Sequence, residues 1–204
     1  WALALLSAPD WFVVNLLNRV VDLKEDEANQ IRGTALVARH KRAVLAIGFG
    51  VLALSLVLTP LVSVWLVPVR LAFHALGFAY NWPLLPVIGR IKARYFWKNT
   101  ASAVGFLLTC FVGPLVVAHE HGRALVVAPL AVLAALAFFF LFELSYEVLY
   151  DLRDVAGDRL ADVRTYPVVH GDAGGRAVAY GLAASSFVVL VGASNAVNLT
   201  DGLH

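Results

Sequence analysis

The sequence predicts an all-α fold, a bundle of helices that crosses a membrane several times. Of the 204 residues, 60% are hydrophobic and only 15% are charged, whereas a soluble domain is nearer half apolar and a quarter charged. The mean hydropathy is +0.77. Six apolar runs are long enough to cross the hydrocarbon core of a bilayer as helices. The basic residues also alternate between connections, which is typical of an integral, multi-pass membrane protein.

The six predicted spans follow one another along the chain with mostly short connections. The first, about 1–17, opens inside an apolar segment at Trp1, so we expect the chain to be an internal piece of a longer polypeptide. Pro60 and Pro68 interrupt the longest apolar block, and one of them is expected to mark the turn between two spans. The Gly-rich segment 170–175 is expected to be a flexible lead into the last span. The predicted spans are 1–17, 43–60, 61–80, 99–118, 124–149 and 177–196.

The basic residues predict which side of the membrane each connection faces. All of the 16 Lys and Arg residues except Arg70 and Arg123 fall in the connections after the first, third and fifth spans. Cytoplasmic loops carry an excess of Lys and Arg, so we expect these three connections in the cytoplasm, at a prokaryotic plasma membrane. The pattern gives no support to nucleic-acid binding, because these residues serve as membrane-side anchors.

The first of the three connections opens with an acidic stretch, "NRVVDLKEDEAN". Asn18, Asp22 and Asp26 are spaced by four, which places them on one face of a helix. Like charges at this spacing repel unless a cation lies between them, and carboxylate and amide oxygens are ligands that Mg²⁺ prefers. Glu25 and Glu27 are expected to lie off that face as ordinary surface charge. Taken alone, the stretch is more typical of a solvated surface beside the membrane.

A second acidic stretch, "ELSYEVLYDLRDVAGDR", leads out of the fifth predicted span. Its carboxylates are spaced by three or four residues, so they share one helical face that runs from the bilayer to its surface. Acidic residues in or at the edge of a membrane helix are costly and indicate a function. Two such stretches at one membrane face favour a site for Mg²⁺ and a diphosphate, with an apolar bundle beyond it for a lipid tail. The carboxylates belong to Glu143, Glu147, Asp151, Asp154 and Asp158.

The two stretches closely resemble the two aspartate-rich motifs of the UbiA superfamily of intramembrane prenyltransferases. In that family N-x-x-x-D-x-x-x-D ends the second helix, and D-x-x-D-x-x-x-D, followed by T-x-P, lies on the sixth. Asn18, Asp22 and Asp26 match the first motif, and "YDLRDVAGDRLADVRTYPVVHG" matches the second. The resemblance implies a nine-helix bundle with a central cavity. Residues 1–204 would then form a single, partial domain that covers about helices two to seven.

The resemblance also implies roles for individual residues. In that family the acids of both motifs bind Mg²⁺ and the diphosphate of a polyprenyl donor, which makes Asp22, Asp26, Asp154 and Asp158 the catalytic candidates. The loop "YNWPLLPVIGRIKARYFWKN" resembles a third conserved region, a tyrosine and a basic stretch that help to hold diphosphate, although its cations also suit plain membrane-side anchors. The implied metal ligands are Asn18, Asp22, Asp26, Asp151, Asp154 and Asp158. The implied diphosphate ligands are Tyr80, Lys92, Arg94 and Lys98, with Arg32 as an approximate match.

The function implied is Mg²⁺-dependent transfer of a prenyl group to an aromatic or glycerol-phosphate-type acceptor, with Glu147 and Tyr150 on the acceptor side. A membrane terpene cyclase of the same fold is an alternative. A cation-coupled transporter that uses intramembrane acids is another, although transporter sites tend to lie near the midplane and both acidic stretches cluster at one face.

One further group of polar residues lies between the fourth and fifth predicted spans, on the face opposite the acidic stretches. His119, Glu120 and His121 have metal-ligand chemistry, but no further ligand is near them in the sequence. We expect a solvated loop there.

Overall fold

The structure, a computed structural model, describes residues 1–87, 89–123 and 128–201, and the side chains up to residue 195 within these ranges. The described residues form α-helices joined by short turns, without a β-strand, which confirms the predicted all-α class. The helices are α1 (Ala2–Val21), α2 (Leu23–Ala28), α3 (Thr34–Arg39), α4 (Lys41–Leu58), α5 (Leu66–Asn81), α6 (Trp97–Leu107), α7 (Gly113–Glu120), α8 (Pro129–Leu160) and α9 (Tyr166–Asp201).

Four helical segments in the described part of the chain are long and apolar enough to cross a membrane. They correspond to the second, fourth, fifth and sixth predicted spans, and the chain is therefore an integral membrane protein. Helix α1, of 20 residues, and helix α5, of 16 residues, lie on the first and third predicted spans. The four segments are Lys41–Leu61, Trp97–Glu120, Pro129–Leu160 and Tyr166–Asn195.

The structure also locates the turns that the sequence left open. Pro60 marks the turn between α4 and α5, in a single 3₁₀ turn, whereas Pro68 lies in the first turn of α5, where its missing N–H breaks no helical hydrogen bond. The predicted start of the last span at about residue 177 was too late, because the chain is helical before Gly171, from Tyr166, and again after it. Segment 170–175 is a kink within α9 at Gly171, whose φ of 72° and ψ of 173° a glycine adopts without strain.

Helix α1 is the central element against which α4 and α5 pack. A buried cluster of Val13, Leu17 and Leu52 joins α1 to α4. Gly48 on α4 and Gly77 on α5 allow the close approach, since a Cβ at these positions would lie 3.1 and 3.0 Å from side-chain carbons of Leu17 and Val14. Small residues serve the same purpose at many helix contacts in membranes.

A buried ionic cluster also holds α1, α4 and α5 together. The Arg70 guanidinium donates to Asp10 Oδ2 at 2.9 Å and to the Ser55 carbonyl at 2.8 Å, and it also donates to the Thr59 hydroxyl. The Nε2 of His74 lies 2.7 Å from Asp10 Oδ1. All three ionisable side chains are buried. Since an unpaired charge within a membrane is costly, these partners explain why Arg70, which lies outside the three basic connections, is tolerated in the bundle.

The polar group at residues 119–121 is exposed, as expected, but it is not a simple loop. His119 and Glu120 belong to the last turn of α7. The Glu120 carboxylate accepts a hydrogen bond from the Ser63 hydroxyl and another from the Val64 N–H, at 3.4 Å. It therefore links α7 to the turn that leads into α5.

Candidate active site

A cavity of about 550 Å³ lies between α1, α2, α5, α6 and α8. Both acidic motifs line it, and so do Lys92 and Lys98. Along α1, α5 and α6 the lining changes from charged or polar residues near the predicted cytoplasmic end to mostly apolar residues deeper in the bundle. The structure thus brings together two motifs that are more than a hundred residues apart in the chain.

The first acidic motif does not lie on one straight helix, as its spacing predicted. Helix α1 ends at Val21, and Asp22, with φ −95° and ψ 21°, separates it from α2. The backbone hydrogen bonds nevertheless continue, from Asp22 N to Asn18 O and from Asp26 N to Asp22 O, at 2.9 and 2.8 Å. The motif therefore bends at Asp22 while its three side chains still line the cavity.

Glu25 belongs to the site, and the expectation that it is surface charge was wrong. It is only 9% exposed, whereas Glu27 is exposed as expected. The physical reason is that residues three apart on a helix are neighbours on its surface, so Glu25 shares a face with Asp22. The Nζ atom of Lys92 lies 2.5 Å from both carboxylates, at Asp22 Oδ2 and Glu25 Oε2. Arg90, which sequence reasoning counted only as a loop cation, lies 3.5 Å from Glu25 Oε1.

The pairing of Glu25 predicts a measurable difference from its neighbour Glu27. Replacement of Glu25 with Gln leaves Lys92 with a single carboxylate partner and weakens the hold on Arg90. Hydrogen bonds to charged groups contribute about 1.5–3 kcal/mol, so we expect the free energy of unfolding to fall by about 1–3 kcal/mol. Thermal unfolding in detergent is the measurement, with Glu27→Gln on the same helix as the matched control. Equal melting temperatures for the two variants would contradict a stabilising role for the ion pairs of Glu25.

The second acidic motif lies on the continuous helix α8, and a buried lysine joins two of its members. Lys98 Nζ is 2.7 Å from Asp151 Oδ1 and 3.0 Å from Asp158 Oδ2. Asn99, which sequence reasoning missed, donates to Asp151 Oδ2 at 2.9 Å. Lys98 and Asn99 come from the first turn of α6, so the motif is completed by a neighbouring helix.

The remaining carboxylates of the two motifs face each other across the cavity. Burial raises the pKa of the Asp26 carboxyl above its ordinary value, Arg19 and Lys92 oppose this rise, and the Asp154 carboxylate adds to it. The Arg153 side chain donates to both oxygens of Asp154, at 2.7 and 2.8 Å. The carboxylates of the two motifs are therefore close enough to interact electrostatically.

The two motifs are held together where α2 meets α8 at Gly157. The Gly157 N–H donates to Asn29 Oδ1 at 2.7 Å. A Cβ at Gly157 would lie 2.4 Å from Asn29 Nδ2 and 2.7 Å from the Glu25 carbonyl oxygen, which is closer than real Cβ atoms come. This joint was missed from the sequence, although a glycine between two acids of a helical motif is a signal for such a close approach.

The predicted diphosphate ligands divide into two groups. Tyr80, Lys92 and Lys98 line the cavity. Arg32 and Arg94 are not in its lining, and both are exposed. The carbonyl of Arg32 accepts a hydrogen bond from Arg19 at 2.8 Å, and the Arg94 guanidinium donates to the Val87 carbonyl at 3.1 Å. Arg32 follows the end of α2, and Arg94 is bonded within its own loop, so the structure does not bring them to the acids.

The predicted acceptor-side residues lie deeper, on the α8 wall of the cavity. Glu147 and Tyr150 line it together with Glu143 and Tyr146. The Tyr146 hydroxyl donates to the Tyr150 hydroxyl at 3.0 Å, and the Arg153 guanidinium lies 4.8 Å from the centre of the Tyr150 ring. This wall is polar, in contrast to the walls that α1, α5 and α6 provide.

The first motif has the donor set of a hard-cation site. Two buried oxygens, Asn18 Oδ1 and Asp22 Oδ1, accept no hydrogen bond, although buried polar atoms are normally paired. The third, Asp26 Oδ2, lies 2.8 Å from the Arg19 guanidinium. Burial raises the pKa of Asp22 to about 6 despite the opposing charge of Lys92, and Glu25 adds to the rise. The described residues hold no group of three or more His, Cys, Asp or Glu placed to bind a metal as they stand. Chemically, however, the oxygens fit Mg²⁺.

The comparisons with known proteins agree with this geometry. A family model described as the UbiA prenyltransferase family matches residues 3–200. Searches of the curated proteins and of the solved structures found no match. The family match covers nearly the whole chain, including both acidic motifs and the helices that bring them to one cavity. This chain belongs to the UbiA prenyltransferase family.

Proposed function

We propose that this protein transfers a prenyl group from a polyprenyl diphosphate to an acceptor within the membrane, in a reaction that depends on Mg²⁺ and releases diphosphate. Membership of a family of membrane prenyltransferases supports the reaction class. The observation that carries the proposal is the cavity itself. Both acidic motifs and the buried Lys92 and Lys98 line one end of it, and α1, α5 and α6 contribute apolar side chains deeper in the bundle.

The charged end of the cavity has the groups needed to hold a diphosphate. Mg²⁺, when bound by the acids, neutralises negative charge on the departing diphosphate. Lys92, Lys98 and Tyr80 line the same end and have the N–H and O–H donors for its oxygens. As the bond between the allylic carbon and oxygen breaks, its electron pair goes to the diphosphate and leaves an allylic cation. The proposed metal ligands are Asn18, Asp22, Asp26, Asp151, Asp154 and Asp158.

The α8 wall is the proposed acceptor side. An aromatic or glycerol-phosphate-type acceptor would attack the allylic cation and lose a proton as the new bond forms. Glu147 is the proposed base, and the Tyr150 ring and hydroxyl would orient the acceptor. We further propose that residues 1–204 form one domain, with the acidic motifs on the cytoplasmic side of a prokaryotic plasma membrane, as the basic connections indicate.

Incubation of the purified protein with labelled polyprenyl diphosphates, Mg²⁺ and a panel of acceptors tests this proposal. A prenylated product that requires an acceptor, and that disappears on chelation of Mg²⁺, is the expected result. A hydrocarbon product without an acceptor would favour a terpene cyclase. Absence of turnover, together with cation flux into proteoliposomes, would favour a transporter.

A further inference from the structure

Two aromatic rings are the lining residues that lie farthest from the acidic motifs along α1 and α5. Trp11 on α1 and Phe73 on α5 meet edge to face, with ring centroids 5.3 Å apart, and both line the cavity. The Trp11 Nε1 donates to Thr109 Oγ1 at 3.1 Å, which fixes the indole against the π-helical segment Leu108–Val112 that continues α6. The Phe73 ring packs against Gly105 on α6, since a Cβ there would lie 3.4 Å from the ring.

These rings lie at one depth below the charged end of the cavity. Trp11 precedes Asn18 by seven residues, Phe73 precedes Tyr80 by seven, and Gly105 follows Lys98 by seven. Seven residues are about two helical turns, so each pair shares a helix face and is separated by about 10 Å. Asp22, which follows the last residue of α1, lies about 16 Å from Trp11 on the same scale.

The two rings are anchored by the buried ionic cluster. Asp10 precedes Trp11 in the chain, His74 follows Phe73, and His74 Nε2 lies 2.7 Å from Asp10 Oδ1. The Phe73 and His74 rings also meet edge to face, with centroids 5.3 Å apart. A hydrocarbon chain that reaches Trp11 and Phe73 therefore meets two rings whose neighbours in the chain are joined by this hydrogen bond.

We propose that Trp11 and Phe73, here called the aromatic floor, limit the length of prenyl tail that the cavity takes. The inference rests on the proposed function and deepens it. The walls above the aromatic floor on α1, α5 and α6 are mostly apolar, with Val14, Leu76 and Ala101 in the lining, and they suit the tail better than the polar α8 wall. An extended isoprene unit has four backbone bonds of about 1.5 Å and spans about 5 Å. A depth of about 10–16 Å therefore takes about two to three units.

The test is binding of unreactive thiolodiphosphate analogues in the presence of Mg²⁺, which needs no knowledge of the acceptor. Affinity in the unmodified protein should rise from the dimethylallyl through the geranyl to the farnesyl analogue, with no further gain for geranylgeranyl. In Trp11→Ala and Phe73→Ala the gain should continue to geranylgeranyl, by about fourfold or more, because each buried methylene strengthens binding about fourfold. Gly105 lines the cavity beside Phe73, so Gly105→Leu places a large side chain there and should end the gain at the geranyl analogue.

Phe12→Ala is the matched control, because Phe12 is the next residue on α1 and is 49% exposed. Circular dichroism and thermal unfolding check each variant, and Trp11→Leu replaces Trp11→Ala if the latter does not fold. If Trp11→Ala and Phe73→Ala show the same dependence of affinity on tail length as the unmodified protein, and that protein binds normally, the aromatic floor does not limit tail length. The proposed function is unaffected by that result. If the unmodified protein binds no analogue of any length, the proposed function fails, and the floor with it.

Discussion

Replacement of Asp154 with Ala is expected to abolish prenyl transfer and to leave the fold intact. The Asp154 carboxylate faces the first acidic motif across the cavity, where it acts on the Asp26 carboxyl. Its hydrogen bonds come from the exposed neighbour Arg153, so its loss leaves no buried lysine without a partner. Removal of a group that stabilises developing charge typically lowers kcat by about a hundredfold or more, and we expect a loss at least that large.

Two measurements separate this loss from a structural effect. Binding of Mn²⁺, followed by electron paramagnetic resonance in the presence of diphosphate, should weaken in Asp154→Ala, while thermal unfolding stays unchanged. Asp162→Asn is the control and should keep normal activity, because Asp162 is exposed just beyond the end of α8 and Asn tolerates its φ of 53°. Near-normal turnover by Asp154→Ala would remove this residue from the metal ligands.

Replacement of Gly157 with Ala is expected to separate the two acidic motifs. The added methyl group would collide with the Asn29 side chain and with the Glu25 carbonyl oxygen. The oxygen belongs to the backbone and cannot rotate away, so α2 must move off α8. Overpacking of this kind costs about 1–3 kcal/mol, and a displacement of about 1 Å at a reacting centre lowers activity about a hundredfold. We expect both effects in unfolding and turnover assays.

Gly181 on α9 offers a matched control for this change. A Cβ at Gly181 meets no atom within 4 Å, and Ala favours a helix over Gly by about 1 kcal/mol. Gly181→Ala should therefore be neutral or stabilising and should keep full activity. If Gly157→Ala behaves in the same way, the contact between α2 and α8 does not hold the site together.

The features of this structure that depend only on residues close together in the chain were predictable from the sequence. The apolar runs predicted the positions of the helices, and the spacing of the carboxylates identified both acidic motifs, because these signals depend on neighbouring residues alone. The bend at Asp22 was not predictable, since i to i+4 spacing is the same for a straight helix and for one that changes direction.

Contacts between distant segments explain what the sequence did not reveal. Asn29 and Asn99 are uncharged and stand outside the motif spacing, so no local pattern distinguishes them from other polar residues. Glu25 could have been identified, because a residue three positions from Asp22 shares its helix face. Arg70 was also visible as a cation outside the basic connections, but its partner Asp10 is 60 positions away in the chain.

That separation has a consequence for the way the protein enters the membrane. Chains are synthesised at about 5–20 residues per second, so Asp10 emerges several seconds before Arg70. An unpaired carboxylate at the centre of a bilayer costs about 2.5–3.5 kcal/mol or more, so we expect α1 to stay near the insertion machinery until α5 arrives. Crosslinking of nascent chains that end before and after Arg70 would show this delay. The first three long helices would then enter the lipid as one unit, and the aromatic floor would be assembled in the same step.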